Sequence, residues 1–446
     1  MSTLGRLVDA VRPATIEGVK GTPYTHLNLN VRGMKPSATV AINEHSNALI
    51  DAGRTVFKLG LGQSPFPVAP PVVQALRDAA HEKDYLPVCG LAALRDAVAA
   101  YHNRTDGIER TGADVLIGPG SKELMFLLQL VYYGDLVIPT PAWVSYAPQA
   151  RIIGRRVELL ETSQADEWRL SPERLESFCA QDPDRPRLVI LNYPSNPTGG
   201  TYRLEELRAL AKVAKKYRVV LLSDEIYGEL HHKGQHVSIA RFYPEGTIVS
   251  AGLSKWCGAG GWRLGTFLFP PSMRWLLDAM AAAASETYTS TSAPIQYAAV
   301  TAFQPDPAID EYLAHSRRIL GALGRWSHRI MTAAGLSCAA PTGGFYLFPD
   351  FSPSREAFAA RGLHDSEAIT RALLEEAGVA ILPGSEFGRP PAELTARLAY
   401  VDFDGAGALE AVADVPRDAP VTEAFLRQHC PRVVAAIEAL CAWLPR

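Results

Sequence analysis

One lysine of this chain stands where it could act as a nucleophile. In TIVSAGLSKWCGAGGWRLGTFLF (247–269), an apolar strand runs directly into Ser254 and Lys255. A lysine held at the end of a buried strand loses hydration, which lowers its pKa and lets it form a Schiff base with a carbonyl compound. Arg263, eight residues on, could clamp a phosphate together with the Ser254 hydroxyl. The chain has only 10 lysines among its 44 basic residues, and Lys255 is the last, so few amines could serve.

A carboxylate stands at the end of another apolar run. VVLLSDEIYGEL (219–230) is a continuous apolar strand followed by Ser223, Asp224, Glu225 and Tyr227. A carboxylate at a buried strand end is costly unless it pairs with a cation, and the protonated ring nitrogen of a cofactor would be such a cation. The alternative is that Asp224 or Ser223 only caps a helix.

Two further stretches place polar groups after predicted strands. LVILNYPSNPTGG (188–200) is a buried strand that turns through Asn196, where the amide could bond a ligand in the crevice of an α/β sheet; ordinary turn chemistry is the alternative. VLIGPGSKELMFLL (115–128) is a strand, a glycine turn and a helix, whose first free amides favour phosphate. The glycines after Lys255 do not match a dinucleotide fingerprint, and no P-loop spacing occurs, so a Rossmann dehydrogenase and a nucleoside triphosphate site are disfavoured.

The elements that must position these residues follow an α/β pattern. From about residue 71 to 320, short β-branched runs alternate with amphipathic helices, which predicts a mostly parallel sheet covered on both faces. We interpret 71–320 as a large domain, and 1–70 with 321–446 as a small, discontinuous α+β domain. Two local expectations are a strand over 151–159 and an insertion or loop over 404–422, which is rich in Ala, Gly, Asp and Pro.

Composition narrows the class of protein. The 446 residues carry 44 basic and 47 acidic side chains, a net charge of −3, so nothing favours nucleic acid or an anionic membrane as partner. Six scattered cysteines without a C-x-x-C pair, and an N-terminus without a secretory h-region, favour a cytoplasmic protein. His231, His232 and His236 are interpreted as a solvated loop without a convergent carboxylate, and no metal site is predicted.

Together these stretches resemble the class I/II aminotransferases, fold type I enzymes that depend on pyridoxal 5′-phosphate (PLP). The resemblance runs from about residue 25 to 403. Its most specific elements are Ser-Asn-Pro-Thr-Gly, Ser-Asp-Glu-x-Tyr and Ser-Lys-x7-Arg, in this order. Any one of the three could arise by chance, but the three together are specific.

The resemblance implies a role for each matching residue. Lys255 matches the lysine that forms the internal aldimine and then moves the substrate proton, and Asp224 matches the carboxylate that keeps the pyridine nitrogen protonated. Asn196 and Tyr227 match the pair that bonds the phenolic oxygen of the cofactor. The remaining cofactor-binding matches are the stacking aromatic residue and the phosphate cup, namely Trp143, Gly120, Ser121, Lys122, Ser254 and Arg263.

The resemblance also implies how the substrate is bound and how subunits associate. Arg397, in ARLAYVDF, is similar to the arginine that takes the substrate α-carboxylate in a two-point contact, with Asn196 beside it. Gly62 matches the small residue near that carboxylate. Tyr85 looks like the tyrosine that reaches the phosphate in the neighbouring subunit, which implies a homodimer. The expected partners are therefore an amino acid, a 2-oxo acid and a second copy of the chain.

Some features depart from the family pattern. Gln63-Ser64-Pro65 replaces the acidic residue and Pro-Asp of many relatives, and 285–299 offers no arginine for a second carboxylate, which speaks weakly against a strict aspartate or glutamate specialist. Transamination of a small L-amino acid is the main hypothesis. The alternatives are elimination, replacement or cyclisation on the same fold, and a non-catalytic effector module, for which the first 70 residues lack a basic helix-turn-helix pattern. The donor, acceptor and pathway stay open.

Overall fold

The structure is a computed structural model that describes residues 26–34 and 36–445. The N-terminal segment considered above for a targeting signal lies outside these residues. Within them the strands are β1 (Phe57–Lys58), β2 (Val115–Gly118), β3 (Asp135–Thr140), β4 (Val157–Glu161), β5 (Arg187–Asn192), β6 (Val220–Asp224), β7 (Thr247–Gly252), β8 (Gly265–Leu268), β9 (Tyr346–Leu347), β10 (Val379–Ala380), β11 (Leu382–Pro383) and β12 (Ala396–Ala399).

The α-helices of the same residues run between and after these strands. They are α1 (Ala38–Asp51), α2 (Pro70–Ala79), α3 (Ala92–Asp106), α4 (Ser121–Val131), α5 (Tyr146–Ile152), α6 (Pro172–Cys179), α7 (Leu204–Lys216), α8 (Arg274–Ser285), α9 (Ala293–Phe303), α10 (Pro307–Ala333), α11 (Arg355–Ala360), α12 (Ser366–Ala377), α13 (Gly405–Ala413), α14 (Glu423–His429) and α15 (Pro431–Trp443).

The main sheet has seven strands in the order β2-β8-β7-β6-β5-β3-β4. Its neighbouring strands are parallel, except that β8 runs antiparallel to β2 and β7. Alternate residues of a strand point to opposite faces: in β5, Leu188 and Ile190 join one core cluster and Val189 and Leu191 join another. The first cluster includes residues of α4 and α8, and the second includes residues of α6 and α7. This is the covered, mostly parallel α/β sheet that the sequence predicts.

The later part of the chain builds smaller sheets around the long helix α10. β11, β12 and β9 form an antiparallel three-stranded sheet, and β1 pairs with β10 in parallel. An early and a late part of the chain therefore pair, because β1 comes from the first 70 residues and β10 from beyond residue 321. The division into domains at residues 70 and 320 stays a prediction.

One local expectation is wrong, and another holds for half of its stretch. The stretch 151–159 is not one strand: α5 ends at Ile152 and β4 begins only at Val157. The stretch 404–422 is a loop only from residue 414 onward, because α13 occupies its first half; whether it is an insertion stays a prediction. Asp404 caps this helix by accepting hydrogen bonds from the amides of Ala406 (3.1 Å) and Gly407 (3.2 Å), and the alanines that follow favour helix.

The register of the sheet brings the chemistry-bearing positions to one edge. Asn192 at the end of β5 pairs with Asp224 at the end of β6, and Asp224 pairs with Ser250 near the end of β7. The segments that follow these strands therefore open at the same edge, where ligands bind in α/β folds. No helix of the described residues is long and apolar enough to cross a membrane.

Candidate active site

A cavity of about 500 Å³ lies at the carboxyl ends of the central strands. Most of the residues singled out from the sequence line it together; two of them, Gly120 and Tyr85, do not. Those at the cavity wall are Gly62, Ser121, Lys122, Trp143, Asn196, Asp224, Tyr227, Ser254, Lys255, Arg263 and Arg397.

Lys255 presents its amine to this cavity from the segment after β7. Its Nζ donates a hydrogen bond to the carbonyl oxygen of Gly62, 2.7 Å away, and lies 5.7 Å from the centre of the Tyr227 ring. Burial, and then the charge of Arg397, lower the pKa of Lys255 to about 8. Such an amine is partly unprotonated near neutral pH and can act as a nucleophile or move a proton.

Asp224 is buried at the base of the cavity. Tyr146 donates a hydrogen bond to its Oδ2 at 2.5 Å, and Ser250 donates to Oδ1 at 3.4 Å. Burial raises the pKa of Asp224 to about 6, although both hydrogen bonds lower it. Among the described residues, no basic side chain forms an ion pair with Asp224, so this carboxylate suits a cationic group supplied by a ligand.

Three polar side chains meet between Asp224 and Arg397. The hydroxyls of Tyr227 and Tyr346 lie 2.8 Å apart, and the Asn196 amide nitrogen donates to the Tyr346 hydroxyl at 3.4 Å. The Asn196 backbone amide is held by the Asn192 side chain at 2.7 Å. The cluster offers an amide and two hydroxyls to an oxygen atom of a ligand.

Arg397 is a buried guanidinium on β12, only 1% exposed. It lies over the ring of Tyr346 (4.8 Å) and near that of Phe387 (4.9 Å), and it donates to Asn196 Oδ1 at 3.0 Å and to the Gly60 carbonyl. Its Nε has no hydrogen-bond partner. Because a buried charge requires compensation, and no carboxylate of the described residues forms an ion pair with it, the site suits a carboxylate from a ligand.

The first turn of α4 forms an anion-binding corner with Arg263. Gly120 precedes the helix with a φ of +90°, and a Cβ there would lie 2.2 Å from Arg263 Nη2. Gly265 on β8 approaches so closely that a Cβ would lie 2.1 Å from the Ser121 amide nitrogen. The glycines thus allow the helix amides and the guanidinium to converge, as phosphate binding requires.

Trp143 forms one side of the cavity. It packs edge-to-face on Tyr146, with ring centres 5.2 Å apart, and the Lys122 amine lies 5.5 Å from its ring centre. Burial, and then the charge of Arg263, lower the pKa of Lys122. These contacts hold the indole ring of Trp143 in place for stacking on a planar ring.

Of two further residues that the family resemblance implies, Gly62 lines the cavity and Tyr85 does not. A Cβ at Gly62 would lie 1.9 Å from the Tyr346 hydroxyl, so no larger residue fits there unless Tyr346 moves. Tyr85 is 91% exposed and lies away from the cavity of its own chain. Its role toward a second subunit stays a prediction.

The cavity residues that the sequence did not single out include Tyr146, Tyr346 and Thr39. Tyr146 begins α5 three residues after Trp143, so nearness in sequence to the predicted stacking residue was a usable signal. Tyr346 lies within an apolar strand pattern, and Thr39 belongs to a distant helix; only the tertiary fold brings these two to the cavity.

The histidine-rich segment was interpreted wrongly as a solvated loop. The His236 side chain is only 13% exposed, and its Nε2 lies 2.7 Å from Glu225 Oε2, so a carboxylate does converge on it. The segment packs beside β6 because the polar groups of Glu225 require partners: Ser223 and Ser238 also donate to this carboxylate, each at 2.6 Å. The described residues contain no cluster of three or more potential metal ligands.

The fold is that of fold type I PLP-dependent transferases, and solved structures of aminotransferases match it closely. The aspartate aminotransferase from Thermus thermophilus with maleate aligns with a TM-score of 0.80 at 29% identity, covering 94% of this chain and all of that one. The aspartate aminotransferase of Rhizobium meliloti aligns with a TM-score of 0.76 at 27% identity.

Sequence comparison identifies the family. The profile "Aminotransferase class I and II" matches residues 54–401. Relatives include an aspartate aminotransferase of Geobacillus stearothermophilus, 35% identical over 83% of this chain and 93% of its own length, and an asparagine–oxo-acid transaminase of Streptococcus mutans, 31% identical over 84% and 95%. The chain belongs to the class I and II aminotransferases and is an enzyme that transfers amino groups.

Proposed function

We propose that this enzyme moves the amino group of a small L-amino acid to a 2-oxo acid, with PLP bound in the cavity described above. The observation that supports this most is that the Lys255 amine, with its lowered pKa, lies in the same cavity as the Arg397 guanidinium. Among the described residues, no carboxylate forms an ion pair with this guanidinium. An amino acid whose carboxylate pairs with Arg397 would present its Cα to that amine. This is the arrangement that proton transfer at Cα requires.

The residues of the cavity fit PLP. Asp224 would pair with the ring nitrogen, which supplies the cation that this buried carboxylate needs, and Trp143 would stack on the ring. Asn196 and Tyr227 would bond the phenolic oxygen. The phosphate would lie at the anion-binding corner formed by Gly120, Ser121, Lys122, Ser254 and Arg263. Bound PLP supplies an electron sink for the charge that develops at Cα.

The protein side chains divide the remaining tasks. Lys255 Nζ, near its pKa at neutral pH, can accept a proton from Cα and return it elsewhere. Arg397 orients the substrate through two parallel hydrogen bonds, for which its unpartnered Nε is available. Gly62 leaves the space into which the bound substrate can extend.

Aspartate is the first donor to test, because relatives at 31–35% identity are named aspartate aminotransferases. We further propose a homodimer in which Tyr85 serves the neighbouring active site. A cytoplasmic location is supported by the cysteines, all six of which are free thiols.

The test supplies the PLP-loaded enzyme with an amino donor and no acceptor. Transamination predicts about one equivalent of 2-oxo acid per subunit by mass spectrometry and no free ammonia, as expected of a ping-pong enzyme. Lys255→Ala should abolish the conversion, whereas Lys212→Ala, at an exposed lysine of α7, should not. Release of ammonia, or a modified donor side chain, would show elimination or replacement instead.

A further inference from the structure

Gly62 and Gln63 line the cavity, and two glycines approach the backbone of the segment 62–67 that they begin. On one side is Gly258, just after Lys255, with a φ of +72°; a Cβ there would lie 2.6 Å from the Phe66 carbonyl oxygen. On the other side is Gly405, the first residue of α13, where a Cβ would lie 2.2 Å from the Pro65 carbonyl oxygen and 2.8 Å from the Phe66 nitrogen. The segment 62–67 therefore packs between the loop that carries Lys255 and Gly258 and the start of α13.

Gly405 is required by space and not by backbone conformation. Its φ lies outside the left-handed range, so an alanine could adopt the same backbone. The added methyl group would collide with the backbone of Pro65 and Phe66, which cannot rotate away as a flexible side chain could. A substitution here must therefore displace the segment 62–67 or the helix.

Aromatic contacts fasten the same segment to the surrounding helices. Phe66 packs edge-to-face against Phe403, just before α13, with ring centres 5.9 Å apart, and against Tyr312 of α10 at 6.4 Å. The Tyr312 hydroxyl donates to the Pro67 carbonyl at 3.0 Å. Movement of α13 would therefore be transmitted to residues 65–67.

The helix α13 is itself fixed at both ends. Asp404 caps its N-terminus through two backbone amides. Beyond its C-terminus, Arg318 of α10 donates to the carbonyls of Val415 (3.0 Å), Pro416 (2.8 Å) and Ala419 (3.1 Å). Because both ends are held, the helix forms a rigid support and not a loose insertion.

The other end of the segment meets the catalytic amine, since the Gly62 carbonyl accepts the hydrogen bond from Lys255 Nζ at 2.7 Å. We propose that the N-terminal turn of α13, through Gly405, positions the Gly62 carbonyl against the Lys255 amine. The stretch 404–422 is then a positioning element of the active site. This inference rests on the proposed role of Lys255.

The test measures the pKa of Lys255 directly in the full-length protein freed of cofactor. With ¹³Cε-labelled lysine, the 10 lysines give few resonances, and that of Lys255 is assigned by its loss in Lys255→Arg. In Gly405→Ala, displacement of the Gly62 carbonyl removes an acceptor that favours the charged amine, so the pKa should fall by about half a unit or more. KM of the loaded enzyme should rise in parallel.

Matched variants separate positioning from general damage. Ala406→Ser adds one atom at the neighbouring, exposed position of α13 and should leave the Lys255 pKa unchanged. Asp404→Ala loosens the helix start and should lower the pKa by less than Gly405→Ala, whereas Asp404→Asn, an equally good cap, should restore it. If Gly405→Ala does not fold, the comparison of Asp404→Ala with Asp404→Asn tests the proposal by itself.

Two results would overturn the proposal: a folded Gly405→Ala with the wild-type Lys255 pKa, or equal shifts in Asp404→Ala and Asp404→Asn. Failure of the proposed function is distinguishable, because it appears in the wild-type enzyme as absent 2-oxo acid whatever these variants do to the pKa.

Discussion

The buried carboxylate of Asp224 suits a cationic ligand, but without a ligand it lowers the stability of the protein. Its pKa is raised to about 6 by burial, against an ordinary value of 3.8. An acid whose pKa is raised by folding is most stabilising when protonated, below pH 4. The cofactor-free protein therefore loses stability as the pH rises from about 4 to 6, by about 3 kcal/mol at most. A bound cation at Asp224 would remove this loss, so PLP should stabilise the protein more at pH 7 than at pH 4.

The Tyr146 hydroxyl should set the acid limb of activity. In Tyr146→Phe, Asp224 loses its shortest hydrogen bond, so the pKa of this carboxyl rises and the acid limb of kcat/KM moves to higher pH, by about one unit. Tyr132→Phe removes the hydroxyl of another buried tyrosine, which is bonded to the Arg187 carbonyl, and serves as the control. An unchanged acid limb in Tyr146→Phe would refute this role. Profiles of kcat/KM against pH for the wild type and both variants measure the position of the acid limb.

At the scale of elements, the turn after β6 is stabilised by a buried ion pair. Glu225 accepts hydrogen bonds from His236, Ser223 and Ser238. Burial lowers the pKa of His236, but the charge and hydrogen bond of Glu225, with smaller contributions from Asp106 and Glu229, raise it overall. The pair thus ties the histidine-rich segment to the strand that carries Asp224.

Removing this imidazole should be costly and dependent on pH. His236→Leu leaves Glu225 buried without a cation, which costs roughly 3–5 kcal/mol. A histidine whose pKa is raised by folding stabilises fully below its unfolded pKa, near 6.5, and less as the pH passes its folded pKa, so the deficit of the variant should shrink at high pH. Lys216→Gln, which breaks an exposed pair with Glu176, should cost under about 1 kcal/mol. Urea unfolding at several pH values measures both; a constant deficit would contradict this account.

For the whole molecule, the exposed Tyr85 is the feature that a single chain does not explain. A tyrosine that is 91% exposed suits an interface with a second subunit. If it completes the neighbouring active site, each subunit of the dimer depends on the other.

Subunit mixing tests this dependence. Tyr85→Ala and Lys255→Ala homodimers should each have little activity. Random reassociation of equal amounts should restore roughly a quarter of the wild-type activity, because half of the dimers are mixed and each mixed dimer holds one complete site. Mixing Lys255→Ala with the double variant Tyr85→Ala/Lys255→Ala, which leaves no complete site in any dimer, controls for recovery without complementation. Activity no greater than the sum of the separate variants would exclude the shared site.

Local sequence was sufficient for the parts of the structure that depend on nearby residues. Continuous apolar runs such as 188–191, short and bounded by turn residues, indicate strands of a covered sheet, and polar residues directly after them are expected at its edge. Lys255, Asp224 and Asn196 were predictable for this reason. The errors arose where propensity competes with context: the segment 151–159 is β-branched yet begins within a helix, and the small residues of 404–422 suit a loop or a capped helix equally.

The sequence by itself determined the sheet, the family and the position of Lys255 after a buried strand, because these depend on short motifs and on the period of apolar residues. Only the tertiary structure decided what faces those residues. Tyr346, Gly405 and Glu225's partner His236 act across the fold, and their contacts are set by backbone distances between elements that lie far apart in the chain. A motif specifies which atoms can react, whereas packing specifies which atoms they meet.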